Sequence, residues 1–336
     1  MTQERLTLDA ARDLAHRILV RHRTSPENAA SVAEALVSAE IDGQKGHGLS
    51  RLPSYAAQSQ SGKVDGFARP TAAPAGSAMV RVDAAHGFAF PALDLAIERL
   101  AALAPETGIA GAGIFRSHHF GQAGRHVERL AEQGLVALVF GNSPKAIAPW
   151  GGRDGLFGTN PIAFAAPRAD GPPLVIDLSL SRVARGKIMV AAENGESIPE
   201  GWALDADGNP TTDAKAALAG TMVPMGDAKG AALVMMVEIL AVALTGANFG
   251  WEASSFFTGE GDPPGVGQLL LAIHPGPLSG GAFAGRLADL IGQVEAQDGA
   301  RLPGTRRLEA RAAAAQAGLS VPEALHEKLK ALATES

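Results

Sequence analysis

The sequence predicts an α/β fold with mixed sheets. Stretches with apolar residues at helical spacing alternate with short apolar runs over almost the whole chain. Forty glycines and 21 prolines among 336 residues supply the turns that such alternation needs. A composition of 46% hydrophobic and 19% charged residues fits a soluble globular chain with a substantial core, organised as one large or two to three interlocked domains.

Leu8, Ala11, Leu14, Ala15, Ile18 and Leu19 lie at helical spacing and predict a first helix over 6–20. Ser25-Pro26-Glu27 starts a second, running to about Ile41, with a capping hydroxyl, proline at the first position and an acid in the first turn. Glycines 43, 46 and 48 frame His47 and let the backbone approach a ligand. A third helix is expected to carry His47, Arg51 and Tyr55 on one face, four residues apart. Residues 63–76 read as a connection, 79–82 as a strand, 88–103 as a helix and 108–115 as a strand. The Gly-Ala-Gly of that strand is not a dinucleotide fingerprint, because Arg116 stands where the third glycine belongs and no helix starts after it. No phosphate-binding P-loop occurs either, since Ser181 occupies its first glycine position relative to Gly186-Lys187.

A helix over 121–133 and a strand over 135–140 follow, then strands over 162–166 and 174–177, the last ending in Asp177. Residues 181–192 read as a helix bearing Arg182, Arg185 and Lys187, and 205–208 as an Asp-rich turn. Lys229-Gly230 opens a long apolar helix to Leu244, and 267–273 is a buried strand. Helices over 281–294 and from Arg306 to the end close the chain.

Composition narrows the chemistry. A net charge of −6 without a basic block argues against nucleic acid or an anionic membrane as partner. With no cysteine, disulfides, thiolate nucleophiles and Cys-ligated zinc are excluded. No apolar leader precedes the first helix, and the 231–244 run is too short for a span, so the expected location is cytoplasmic. Histidines and lysines therefore carry most options. His47, His118 and His119 stand in glycine-flanked loops, suited to proton transfer near neutrality. His16, His22, His86, His126, His274 and His326 sit in helices or at strand ends, where structural roles are expected. No HExxH pattern occurs, adjacent His118 and His119 are poorly placed to share a metal, and none is expected. Arg51 suits a substrate carboxylate, since its planar fork binds that group bidentately. Lys229 at a helix start and Arg301, Arg306 and Arg307 around a Pro-Gly turn suit phosphates. Together these residues suggest a redox enzyme using a dinucleotide and a small acid.

The motifs SHHFG (117–121), APWGG (148–152), FGTNPIAFAAPR (157–168) and RLPG (301–304), with Asp42-Gly43, Gly201-Trp202-Ala203 and Lys229-Gly230, resemble the malate/L-lactate dehydrogenase family. The resemblance covers nearly the whole chain. It implies a non-Rossmann fold and an NAD- or NADP-dependent enzyme. Members include malate, sulfolactate and ureidoglycolate dehydrogenases and reductases of cyclic ketimine acids such as piperideine-2-carboxylate. It further implies a homodimer with the active site between domains. The expected division is a helical domain from 1–70 and 305–336, a substrate-side α/β domain from 75–120 and 267–304, and an NAD(P)-binding domain from 121–266.

By the same resemblance, His47 is the acid/base, with His119 the alternative, and Arg51 and Thr159 contact a small carboxylate substrate. Tyr55 joins them as a substrate-side candidate from its place on the face of His47 and Arg51. The cofactor is lined by His119, Phe120, Gly121, Gln122, Ala123, Ser143, Asp177, Leu178, Ser179, Lys229 and the segment Arg301, Leu302, Pro303, Gly304, Thr305, Arg306, Arg307. The implied reaction interconverts a 2-oxo acid and a 2-hydroxy acid by hydride transfer, with reduction of a cyclic ketimine acid as the alternative. The sequence departs from the family at Gly46, often serine, at Leu178-Ser179-Leu180-Ser181, usually Met-Ala-Thr-Ser, and at Lys187, where the ketimine reductases carry aspartate. A catalytic-site Lys187 in place of an acid disfavours a protonated imine and favours a substrate with two negative groups. A non-catalytic binding protein on the same fold is the competing class, with Gly46 as its sign.

Overall fold

The computed structural model describes residues 3–334. In chain order the elements are β1 (Gln3–Leu6), α1 (Leu8–Arg21), α2 (Pro26–Ile41), α3 (Leu52–Ser61), β2 (Thr71–Pro74), β3 (Met79–Asp83), α4 (Ala89–Thr107), β4 (Ile109–Ser117), α5 (Ala123–Ala131) and β5 (Val136–Gly141). They continue with β6 (Ile162–Ala166), β7 (Leu174–Leu178), α6 (Arg185–Asn194), β8 (Ala203–Leu204), β9 (Pro210–Thr211), α7 (Ala214–Ala219), β10 (Thr221–Met222) and α8 (Asp227–Glu238). The chain ends in β11 (Val266–Ile273), α9 (Pro275–Ser279), α10 (Phe283–Glu295), α11 (Thr305–Ala317), β12 (Leu319–Pro322) and α12 (Glu323–Thr334).

The class is α/β with mixed sheets, as the pattern predicts. The main sheet has seven strands in the order β2-β3-β4-β11-β5-β6-β7. Only β3 and β4 run parallel; every other neighbouring pair is antiparallel. This sheet draws strands from both of the expected α/β domains. Successive residues of β11 serve opposite faces. Leu270 joins the layer of α4 and α5 with Leu93, Ile97, Leu100, Val127 and Leu130, whereas Leu269 joins α8 with Val234 and Val237. A separate helical layer packs Leu14, Ile18, Leu36, Leu52 and Tyr55 against Phe88 and Phe90. The glycines of β4 serve this packing: a Cβ on Gly111 would stand 2.7 Å from the Met79 sulfur.

Several boundaries differ from the sequence reading. The C-terminal helix is two helices, broken where Gly318 takes φ +70° and β12 turns to pair with β1. That pairing joins the two ends of the chain, so no local pattern announces it. The 63–76 connection contains β2, an edge strand. The helix expected from Ser181 begins only at Arg185, because Ser181 forms a β-bridge with Pro224 and the Arg182 N–H donates to the Val223 carbonyl, which ties this segment outside the helix. Helix α8 stops at Glu238 and passes into a π-turn, Ile239–Ala243. The single helix expected to carry His47, Arg51 and Tyr55 does not form. Two 3₁₀ turns, Lys45–His47 and Leu49–Arg51, precede α3. Gly48 sits between them because a Cβ there would stand 2.1 Å from Glu40 Oε2, the oxygen that accepts the Leu49 N–H.

A buried ion network ties α11 to the rest. Asp42, ending α2, and Glu128, on α5, are 0% and 5% exposed in their side chains. Arg311 donates from Nη2 to Asp42 at 2.9 Å and to Glu128 at 2.6 Å, and Arg307 Nη2 reaches Glu128 at 3.3 Å. Removing one partner of a buried pair leaves an uncompensated charge. Arg311→Met is therefore expected to lower the unfolding free energy by about 2–4 kcal/mol, measured by denaturant titration. An unchanged midpoint would show the network to be dispensable.

Candidate active site

The site is built where α3, the turn after β4 and the 249–265 loop meet. The β4 strand ends at Ser117 and delivers His118 and His119, both buried. The chain then turns at Gly121, with φ +66°, into α5. His126 Nε2 lies 2.8 Å from the Phe120 carbonyl and braces this turn. His47 stacks on His119 with ring centroids 5.3 Å apart and planes 13° from parallel. Tyr55 Oη and His119 Nδ1 share a hydrogen bond of 2.6 Å, and His118 Nε2 bonds Gln58 Oε1 at 2.9 Å. Phe256 completes the wall, its ring 5.2 Å from each of His118 and His119.

Electrostatics single out Arg51. Its Nε donates to the Gly46 carbonyl at 2.7 Å, and the guanidinium lies 4.5 Å above the Phe257 ring. Its Nη1 is buried without a hydrogen-bond partner, and Arg51 forms no ion pair among the described residues. Burial pulls its pKa down, which marks a cation lacking its counter-charge. The imidazoles beside it are neutral. Burial, reinforced by Arg51, pushes His47 down to about 4. Burial, with Lys63 and Arg51 adding, takes His118 to about 3. Burial, then Arg51 and the neighbouring histidines, holds His119 well below the ordinary range. The Tyr55 phenol is raised by burial and stays protonated. A cation with an open donor beside neutral imidazoles can bind an anion and exchange a proton with it.

The remaining candidates fall into two groups. Thr159 and Ser143 lie together, the Thr159 N–H donating to Ser143 Oγ at 3.1 Å. Leu180 N–H donates to the Thr159 carbonyl and Met225 N–H to that of Leu180, so the end of β7 and the start of α8 follow directly. Asp177 Oδ2 accepts the Gly124 N–H at 2.8 Å and so caps α5. A Cβ on Gly304 would stand 3.2 Å from the Val175 carbonyl, which sets the start of α11 beside β7. Leu178, Ser179, Lys229, Arg301 and Arg306 are exposed along this ridge. These cations and polar groups are of the kinds that could hold a dinucleotide's phosphates and ribose hydroxyls.

Other residues have different duties. Arg307 is 8% exposed and turned onto Glu128, so it does not offer its charge to a phosphate. Phe120 packs on Gly141, and Gln122 donates to Asp42, so the turn presents backbone rather than these side chains. Tyr55 is 0% exposed and holds His119 rather than reading a substrate directly. Lys187 is exposed on α6. The sequence reading did not find Gln58, Lys63, Phe256, Phe257 or Glu238. The Phe-Phe pair in a Gly/Pro-rich loop was the one available signal. Glu238 accepts from Asn160 at 2.6 Å and from the Gly250 N–H at 2.7 Å, contacts between segments far apart in sequence. No three His, Asp or Glu side chains among the described residues are grouped to hold a metal.

Residues 6–330 match the family described as malate/L-lactate dehydrogenase. The chain belongs to this family. Family relatives are similar over most of their length. A (2R)-3-sulfolactate dehydrogenase (NADP(+)) of Chromohalobacter salexigens is 55% identical over 301 residues, 90% of each chain. A Delta(1)-pyrroline-2-carboxylate/Delta(1)-piperideine-2-carboxylate reductase of Pseudomonas putida is 44% identical, over 98% of this chain and 97% of the relative. Among solved structures, the piperideine-2-carboxylate reductase of Pseudomonas syringae superposes with a TM-score of 0.92 at 44% identity, over 98% of this chain and 99% of that one. A sulfolactate dehydrogenase of Methanocaldococcus jannaschii gives 0.90 at 27% identity, over 99% and 97%.

The unpartnered fork makes one expectation specific. Arg51→Lys keeps the charge but loses the planar donors, so KM for the acid substrate should rise about tenfold or more while the cofactor Kd stays unchanged. Steady-state kinetics and a fluorescence titration of the cofactor check this, and an unchanged KM removes Arg51 from the site.

Proposed function

We propose that the protein is an NADP- or NAD-dependent oxidoreductase that interconverts a small 2-oxo acid and its 2-hydroxy acid, the preferred substrate carrying a second anionic group as sulfolactate does. The observation that carries this reading is the open, buried donor of Arg51 beside the stacked His47–His119 pair. The sulfolactate relative supports the substrate class and supports NADP. The nicotinamide ring, when bound, supplies or accepts the hydride. Arg51 grips the substrate carboxylate, and Thr159 faces the same acid. His47 exchanges the proton at the C2 oxygen. It is preferred to His119, which is 8% exposed and has its Nδ1 committed to Tyr55. Lys229, Arg301 and Arg306 hold the phosphates.

A second reading is reduction of a cyclic ketimine acid, favoured by the 44% identity to such reductases. Gly46 and Lys187 stand against it, since neither offers a proton-managing hydroxyl or carboxylate toward a ring nitrogen. Kinetics with sulfopyruvate, oxaloacetate, pyruvate and piperideine-2-carboxylate separate the two. The account expects kcat/KM to be higher for the first two, and a tenfold or greater advantage for piperideine-2-carboxylate promotes the second reading.

We also infer a cytoplasmic homodimer. Met235, Met236, Ile239 and Leu244 are 53%, 41%, 54% and 62% exposed along α8, the π-turn and the residue after it, apolar surface suited to a second copy. No helix among the described residues is long and apolar enough to cross a membrane.

Two expectations concern His47. His47→Asn should lower kcat by about 10²-fold or more with cofactor binding intact, and near wild-type turnover would move the role to His119. The pH profile follows from its lowered pKa. Oxidation needs the neutral ring, so kcat/KM for the hydroxy acid should stay flat from pH 8 to 5 and fall only through about 4. Reduction needs the protonated ring, so kcat/KM for the oxo acid should rise steadily as pH falls over the same interval. A break near the ordinary value of about 6.5 in either profile would contradict this assignment.

A further inference from the structure

Residues 249–265 cross the site without regular secondary structure, yet they supply both rings that wall it. Phe256 packs on His118 and His119, and Phe257 lies under Arg51. A loop of this length is costly to order and needs specific fastening. The fastening comes from α3 and the residues just after it. Lys63 is 3% exposed, and its Nζ donates to the carbonyls of Ser255 at 2.6 Å, Thr258 at 3.0 Å and Glu260 at 2.8 Å. These bonds use all three ammonium donors. Gln58 Nε2 donates to the Phe256 carbonyl at 2.9 Å while its Oε1 holds His118. Ser61 Oγ donates to the Gly259 carbonyl at 2.8 Å. Five carbonyls within six residues of loop are thus bound from one side.

We propose that Lys63 is a positioning residue of the active site: its ammonium gathers three loop carbonyls into a cage and so sets Phe256 against His119 and Phe257 against Arg51. The role rests on the reading of His47, His119 and Arg51 as the substrate-side machinery. The ammonium is placed to touch neither substrate nor cofactor; it acts through the loop and, by its charge, on His118. The cage is one that a free monovalent ammonium ion can also fill. Cutting the side chain back leaves three carbonyl oxygens converging on a vacated cation position.

The test uses Lys63→Ala and Lys63→Met in the full-length protein. Lys63→Ala is expected to lower kcat/KM for the oxo acid by roughly tenfold or more, since three charge-assisted hydrogen bonds are lost, with cofactor Kd within about twofold. Hydrogen exchange read by mass spectrometry should quicken in the peptide spanning 255–260. Ammonium chloride, against sodium chloride at equal ionic strength, should restore both readouts in Lys63→Ala. Lys63→Met, whose stem fills the vacated space, should be impaired and not restored. If the alanine variant does not fold, the methionine variant decides on the first two readouts. Wild-type kcat/KM in the methionine variant, unchanged exchange in 255–260, or an equal loss of cofactor binding overturns the proposal. The exchange readout needs no turnover, so an enzyme that reduces none of the acids defeats the functional reading while the clamp is still judged.

Discussion

A guanidinium held without a counter-charge is the constraint on which the site depends. Arg51 has one donor spent on the Gly46 carbonyl and another buried without a partner, against an aromatic face rather than a carboxylate. Such a cation is unfavourable unless an anion arrives, so the surroundings must hold it in place. They do so on every side. Gly48 leaves room for the Glu40 carboxylate that fixes the preceding turn, α3 anchors the chain that follows, and the 255–260 segment supplies the face beneath. Burial first, and this cation second, disfavour protonation of His47 and His119, which keeps both rings neutral and able to stack. In the proposed mechanism the grip on the substrate and the readiness of His47 to move a proton are therefore linked through the charge on Arg51.

The scaffold answers this local strain with satisfied charge elsewhere. Asp42 and Glu128 are more buried than Arg51, but each is shared between arginines of α11, and Asp42 also accepts from Gln122. Asp177 stands at the start of α5 and carries the end of β7 to the histidine turn. Charge is therefore paired where it joins elements and left without a counter-charge at Arg51. That asymmetry distinguishes Arg307, which has the motif position of a phosphate reader but the environment of a structural ion.

The sequence carried the class and most of the larger elements, because amphipathic helices and apolar strands write their period locally. Ser25-Pro26 marks the start of α2, and Ile162–Ala166 is a strand to the residue. What it hid depends on distant contacts. β1 and β12 become strands only by pairing across the length of the chain. His47 and Arg51 read as one helical face, whereas Gly48 breaks the helix and the residues meet through 3₁₀ turns. The candidate histidines and Arg51 were readable as candidates from the glycine-rich stretches around them, and Thr159 from the family resemblance. Lys63, Gln58 and Glu238 were not, since an isolated Lys, Gln or Glu on a helix or turn says nothing about which carbonyls or amides it will meet.

An anion on Arg51 should change the protonation of His47. Calorimetric titration of the cofactor-loaded enzyme with an unreactive dianionic analogue of the oxo acid, repeated at pH 6 in buffers of different ionisation heat, measures the protons taken up on binding. Burial is the larger cause of the low His47 value of about 4 and Arg51 the second; a bound anion opposes the Arg51 contribution, so a fraction of a proton should be taken up per site, and that uptake should vanish in His47→Asn. Binding without proton uptake, or uptake that persists in His47→Asn, would contradict the account.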